Sequence, residues 1–170
     1  VEHSISRDRT FGEDTVDRER IAATLYYLIE RCCKTLRRRE LCAQTVTVKV
    51  RSSRFLTLQK QLTLRVPTAN EEEIFAVARP LLERLLPARE RVRLVGIKAS
   101  HLVPGGGEGS QMELAAAEKE KRGTLHQRVD VLQEKHGYRC IHWGITHPLH
   151  WELRRSDRED RNEREERGRE

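Results

Sequence analysis

Between Gln44 and Val66 the chain reads QTVTVKVRSSRFLTLQKQLTLRV, and its polar residues are of one chemical kind. Thr45, Thr47, Lys49 and Arg51 alternate with Val46, Val48 and Val50. Beyond a short polar turn, Thr57, Gln59, Gln61, Thr63 and Arg65 alternate with Leu58, Leu62, Leu64 and Val66. A period of two sends the apolar set to one face of a sheet and the polar set to the other. Lys60, a charge on the apolar parity near the turn, is the one break. The polar face of this hairpin carries hydroxyls, amides and cations, and no acid. Those donors and charges suit the sugar–phosphate backbone of a nucleic acid. An ordinary half-solvated antiparallel sheet shows the same alternation, so the pattern alone leaves both readings standing.

Three other sets of residues could do chemistry. Glu71, Glu72 and Glu73 are adjacent acids, but they follow a Pro67-Thr68-Ala69-Asn70 turn and open a helical pattern. Acids at a helix N-terminus complement its dipole, which accounts for them better than acid–base catalysis. Pro104 to Ser110 is glycine-rich, yet it lacks the strand–loop–helix setting and the Gly-Lys-Ser ending of a phosphate-binding loop; a linker is the better reading. Cys140, His142, His147 and His150 supply enough borderline ligands for zinc, in a spacing that matches no established zinc pattern. The simpler expectation is a tail that packs Trp143 and Trp151 against the domain. No metal and no cofactor is expected.

The elements that must position the polar face can be read on either side of it. Ser4 to Phe11 is a first strand with Ile5 as its clearest apolar contact, broken by Gly12-Glu13-Asp14-Thr15. From Asp17 to Arg39, Ile21, Leu25, Leu28, Ile29, Cys32 and Leu36 recur at three- and four-residue steps, the signature of one helical face. Thr15 or Asp17 can cap it, and Arg37-Arg38-Arg39 close it in favour of the dipole, with phosphate contact as a lesser alternative. After the hairpin, Asn70 caps a second helix whose apolar side runs from Ile74 to Leu86, with Pro80 expected to kink or restart it. Val92 to Leu102 is a fourth strand. The order strand, helix, strand, strand, helix, strand gives an α+β fold, the ferredoxin-like split βαββαβ arrangement. Two helices then pack on one face of a four-stranded antiparallel sheet. Beyond residues 1–103 the expected layout is a Gly-rich linker over 104–112 and a helical tail over 113–151. The tail's stripe is Leu125, Val129 and Leu132, with Gly137 as its C-cap, and residues 152–170 form a charged, disordered end.

Bulk composition agrees. Charged residues make up 35% of the 170, aromatics only 5%, and the net charge is +6. Residues 1–103 hold 20 Lys and Arg against 13 Asp and Glu, a net of +7, while residues 104–170 hold 13 against 14, a net of −1. The basic excess sits on the segment that folds, which favours an anionic partner. The four cysteines form no paired motif, and Cys32 lies on a helical apolar stripe, so a reducing, cytoplasmic setting is expected. No apolar run approaches membrane-spanning length. A start at Val1 with Met112 as the lone methionine suggests a piece of a longer protein.

Several of these residues resemble a known family. Ser4-Ile5-Ser6-Arg7 with Thr10-Phe11, Thr45 to Arg51 with Phe55, and Val92 to Ile97 with Ser100 and Leu102 resemble the little finger domain of Y-family translesion DNA polymerases. The polymerase IV branch is the nearest. Element order and spacing agree over residues 4–102. The resemblance implies a monomeric module that grips damaged or intact primer–template duplex across the major groove through its phosphates. Implied contacts are Ser6, Arg7 and Arg9, then Thr47, Lys49 and Arg51, then Arg93, Lys98 and Ser100. Arg93 differs in parity from Lys98, and Gln59-Lys60-Gln61 stands where the family pattern has Thr-Arg-Ser. Gln111-Met112-Glu113-Leu114 resembles the sliding-clamp-binding peptide that follows this domain in polymerase IV. Ala115 and Ala116 replace its aromatic anchor, so weak clamp binding is expected. Leu125 to Ile141 is similar to the tail seen after that peptide in many bacterial members. The family's two-metal chemistry resides on a palm absent from this sequence, so the chain by itself is expected to catalyse nothing. A stand-alone DNA-binding regulatory fragment is the alternative.

Overall fold

The computed structural model describes residues 4–86, 88, 90–105, 113–141 and 144–149; of residues 113–122, 139 and 147–148 it describes the backbone. Strands β1 (Ser4–Thr15), β2 (Leu41–Ser52), β3 (Thr57–Thr68) and β4 (Val92–Pro104) form one antiparallel sheet in the order β1-β4-β2-β3. Helices α1 (Arg18–Arg38) and α2 (Glu71–Leu85) cover one face of it. This is the expected α+β split arrangement, with β4 inserted between β1 and β2.

Local chemistry starts both helices. Asp17 accepts from the backbone N–H groups of Glu19 and Arg20 at 3.0 and 3.1 Å, and Asn70 accepts from those of Glu72 and Glu73 at 2.9 and 3.1 Å. Each cap satisfies two of the orphan donors of the first turn, worth about 1 kcal/mol. Pro80 lies inside α2 without ending it. The first strand also runs through Gly12 to Thr15 instead of breaking there, with a register shift against β4 that absorbs the extra residues.

The core joins Val46, Val48 and Val50 of β2, Val95, Ile97 and Ala99 of β4, and Ile5 of β1 to Ile21, Leu25, Ile29 and Leu36 of α1 and Ile74, Leu81 and Leu82 of α2. The β3 half of the hairpin departs from expectation. Leu64 packs against the core, but Leu58, Leu62 and Val66 are exposed at 55%, 43% and 57%. β3 is the outermost strand, and its apolar parity extends past the edge of the helix layer. Lys60, exposed opposite Val48 on that parity, discourages a second strand from pairing there.

Behind the helices lies α3 (Glu113–His136), followed by short 3-10 turns at Tyr138–Cys140 and Gly144–Leu149. The expected stripe does not dock it. Leu125 and Leu132 are 49% and 40% exposed, and Val129 is half-buried, whereas His126 is buried. The reason is the surface α3 meets. Arg37 Nη2 pairs with the buried Glu71 Oε1 at 2.6 Å, and Arg37 Nε donates to Asp130 of α3 at 2.8 Å. His126 Nδ1 lies 3.1 Å from Glu71 Oε2, and Lys34 donates to the Asp130 carbonyl at 3.1 Å. Charge matching at the end of α1 and the start of α2, rather than an apolar stripe, seats the helix. Tyr138 then stacks edge-on against Tyr27 at 5.1 Å, and Thr146 and Leu149 are fully buried. Gly137, at φ +86, makes the turn out of α3 that a side chain would resist.

Candidate nucleic-acid interface

The sheet face turned away from the helices is built row by row from the strand register. One row runs Ser4, Ser100, Thr45, Thr63 across β1, β4, β2 and β3; the next runs Ser6, Lys98, Thr47, Gln61. Then come Asp8, Gly96, Lys49, Gln59, and finally Thr10, Leu94, Arg51, Thr57. Opposed residues in such a ladder share a face. The polar parity of the hairpin is therefore extended across β4 and β1 into a surface four strands wide. At about 4.8 Å per strand spacing the outer strands stand about 14 Å apart.

Of the residues expected at the site, Ser6, Thr47, Lys49, Arg51, Lys98 and Ser100 come together on this face. Arg7 and Arg9 do not. They pair with Ile97 and Val95, whose side chains enter the core, so both lie on the helix side at the β1 edge. Arg9 stands 5.7 Å over the ring of Tyr27 on α1. Arg93 is a third case. The register passes from Arg51–Leu94 to Ser52–Val92, leaving Arg93 as a bulged residue with no opposite number in that ladder. Bulges re-aim a side chain. The Arg93 guanidinium sits 4.8 Å over the Phe55 ring and 3.6 Å from Asp14 Oδ1, at the turn end of the sheet.

Hydrogen bonds order the face. Arg51 Nε donates to Thr57 Oγ1 at 2.8 Å, the hydroxyls of Thr45 and Thr63 are 3.2 Å apart, and His101 Nδ1 is 3.0 Å from Thr45 Oγ1. His101 reaches this position from a left-handed backbone at φ +50, for which the sequence carries no glycine or asparagine signal. Asp8 is also new on this face: the hairpin alone is free of acids, but β1 brings Asp8 into the Lys49 row, where the two side chains form an ion pair. The parity of Asp8 with Ser6 was the available signal. Thr47 is largely buried between its neighbours, while Lys98, Ser6, Gln59 and Gln61 stand in solvent.

The other chemistry-bearing sets are structural or lie elsewhere. Glu71 is a buried ion-pair partner of Arg37, with no access for a substrate. Burial pushes the Cys32 thiol up to about 12 and the Cys33 thiol up as well, and all four cysteines are unbridged. Gln111 and Met112 lie outside the described residues, and Leu114 falls in the first turn of α3. His142, Trp143, His150 and Trp151 also lie outside them; among the described residues no group of three metal-ligating side chains converges. Among the described residues no helix is long and apolar enough to cross a membrane.

Comparison with known proteins agrees with this architecture. Residues 2–114 match the model of the impB/mucB/samB family C-terminal domain. The DNA polymerase IV of Dehalococcoides mccartyi (strain CBDB1) is 35% identical over 147 residues, which is 86% of this chain and 37% of that protein. The DNA polymerase IV of Staphylococcus aureus (strain JH9) is 33% identical over 102 residues, 60% of this chain and 29% of that protein. The chain thus spans between 29% and 37% of the length of these curated relatives. A post-insertion binary complex of Dbh DNA polymerase superposes with a TM-score of 0.54 at 21% identity, covering 59% of this chain and 29% of that one, a likeness of fold. On the family match and the identity to DNA polymerase IV together, the chain belongs to the impB/mucB/samB family C-terminal domain, the little finger of Y-family DNA polymerases.

Proposed function

We propose that this chain grips the two phosphate walls of a duplex with the polar face of its sheet, as the C-terminal part of a translesion DNA polymerase. The observation that carries the reading is the continuity of the four rows. Lys98, Lys49 and Arg51 run over the two central strands, between Ser and Thr hydroxyls on β1 and Thr and Gln side chains on β3, with Asp8 the one acid in the four rows. A surface about 14 Å wide is broader than the ~12 Å major groove, so it bridges the groove instead of entering it. Contacts from such a surface fall on phosphates, which position a protein on DNA without reading its sequence. No aromatic side chain stands on the central rows for a base to stack upon, which argues against single-strand readout. Duplex of any sequence, including one that carries a lesion, is then the fitting partner. The contribution of this chain is grip and placement; nucleotidyl transfer belongs to other parts of such an enzyme.

Titration of a fluorescent primer–template duplex at several salt concentrations tests this. The three cations of the four rows set a limit of roughly −3 on the log–log salt slope, from about −0.9 per phosphate neutralised, and the Asp8 carboxylate beside Lys49 holds the native slope nearer to roughly −2. Sequence changes in the duplex should leave affinity alone, and Lys49→Glu with Arg51→Glu should remove most of it. Binding untouched by that double charge reversal would place the grip elsewhere, with the helix-side Arg7 and Arg9 edge the next surface to mutate.

A further inference from the structure

The third row of the face contains an arrangement that the polar-face reading does not require. Asp8 on β1 and Lys49 on β2 are not neighbours: β4 runs between them, and the residue it places in that row is Gly96. The two side chains nevertheless form an ion pair across β4. They can do so because Gly96 has no side chain. A Cβ built there would come 1.9 Å from Asp8 Oδ1 and 2.9 Å from Asp8 Cγ, so the carboxylate lies directly over the glycine. Lys49 is 29% exposed and Asp8 40%, so a partner approaching the sheet meets both.

We infer that Asp8, carried across β4 by the gap at Gly96, is a built-in competitor for phosphate at Lys49 and sets how weakly the face holds a duplex. This rests on the polar-face reading and sharpens it. A phosphate that reaches Lys49 must displace the Asp8 carboxylate or sit beside it, and either case subtracts from binding. An exposed ion pair of this kind contributes little to folding, so loss of stability does not explain its presence. Its effect falls on the partner, because like charge against a polyanion lowers affinity and shortens residence. A weak, reversible hold is what a module needs if the duplex is to slide beneath it.

The test compares the full chain with Asp8→Asn, Gly96→Ala, Lys49→Met and the Asp8→Asn/Lys49→Met double variant. Asp8→Asn should bind duplex about 3- to 10-fold more tightly near 100 mM salt, with a log–log slope steeper by about one. Gly96→Ala should move affinity in the same direction, since its methyl group pushes the carboxylate off Lys49. In the Lys49→Met background the gain from Asp8→Asn should shrink by at least half, which separates competition at Lys49 from a general change in charge. Unchanged or weaker binding by Asp8→Asn, or a full gain in the Lys49→Met background, overturns the inference. Elution from phosphocellulose gives the same comparison without a duplex. If the native chain bound no duplex but Asp8→Asn still eluted later in a Lys49-dependent way, the duplex reading would fall and the Asp8 inference would stand.

Discussion

Glu30 lies in the middle of α1 and is 6% exposed. Tyr138 donates its hydroxyl to Oε2, and Oε1 is buried with no hydrogen-bond partner among the described residues. Burial pushes the carboxyl up to about 8; the Tyr138 hydrogen bond opposes this, the Glu71 and Asp130 carboxylates add to it, and Arg37 opposes it. The sign follows. Between the ordinary value of 4.5 and about 8 the folded chain holds a proton that the unfolded chain has lost. Stability from this group is therefore complete below about pH 4.5 and is lost as pH rises through about 8. The slope is about 1.4 kcal/mol per pH unit inside that window, so raising pH from 5 to 7 should cost about 2 to 3 kcal/mol. At about 2–4 °C per kcal/mol, the melting temperature should fall by about 5–10 °C. Urea titrations followed by circular dichroism at pH 5, 6, 7 and 8, on the native chain and on Glu30→Gln, isolate the effect. The amide keeps the acceptor for Tyr138 and cannot ionise. E30Q should gain on the native chain steadily with pH and match it within about 1 kcal/mol at pH 5. A constant difference between the two across this range would refute the assignment of a buried neutral carboxyl.

Two further outcomes follow from the packing. Arg37→Ala leaves Glu71, whose side chain is 3% exposed, without its cation, and should cost about 3–5 kcal/mol by urea titration. It should also raise amide exchange in α3, because Asp130 loses the same partner. Leu62→Gln on the uncovered side of β3 should change stability by about 0.5 kcal/mol or less, whereas Leu25→Ala in the core should cost about 2–5 kcal/mol, both read from denaturant midpoints.

Which features were legible in the sequence depended on their range. The alternation of Val46, Val48 and Val50 with Thr47, Lys49 and Arg51, the cap at Asn70 and the apolar stripe of α1 are consequences of backbone periodicity and nearest-neighbour hydrogen bonding. Each is visible within a dozen residues, and the order of elements built from them reached the correct sheet and helix layer. Period two also implied a polar face. It did not say how far that face extends, because the rows depend on which strand lies beside which. The stripe Leu125, Val129 and Leu132 misled for a related reason: periodicity reports what a helix could bury, while the docking surface on α1 and α2 turned out to be charged.

By itself, then, the sequence determined the elements, their caps, the polarity of each strand face and the basic balance of the folded part. The tertiary structure decided the rest. It set Asp8 against Lys49 across a glycine, turned Arg7 and Arg9 to the helix side, freed Arg93 in a bulge and left Leu58 and Leu62 beyond the edge of the helices. Those outcomes depend on strand order, register and the reach of a neighbouring layer. Such quantities arise between segments far apart in the chain, and no local pattern of residues encodes them.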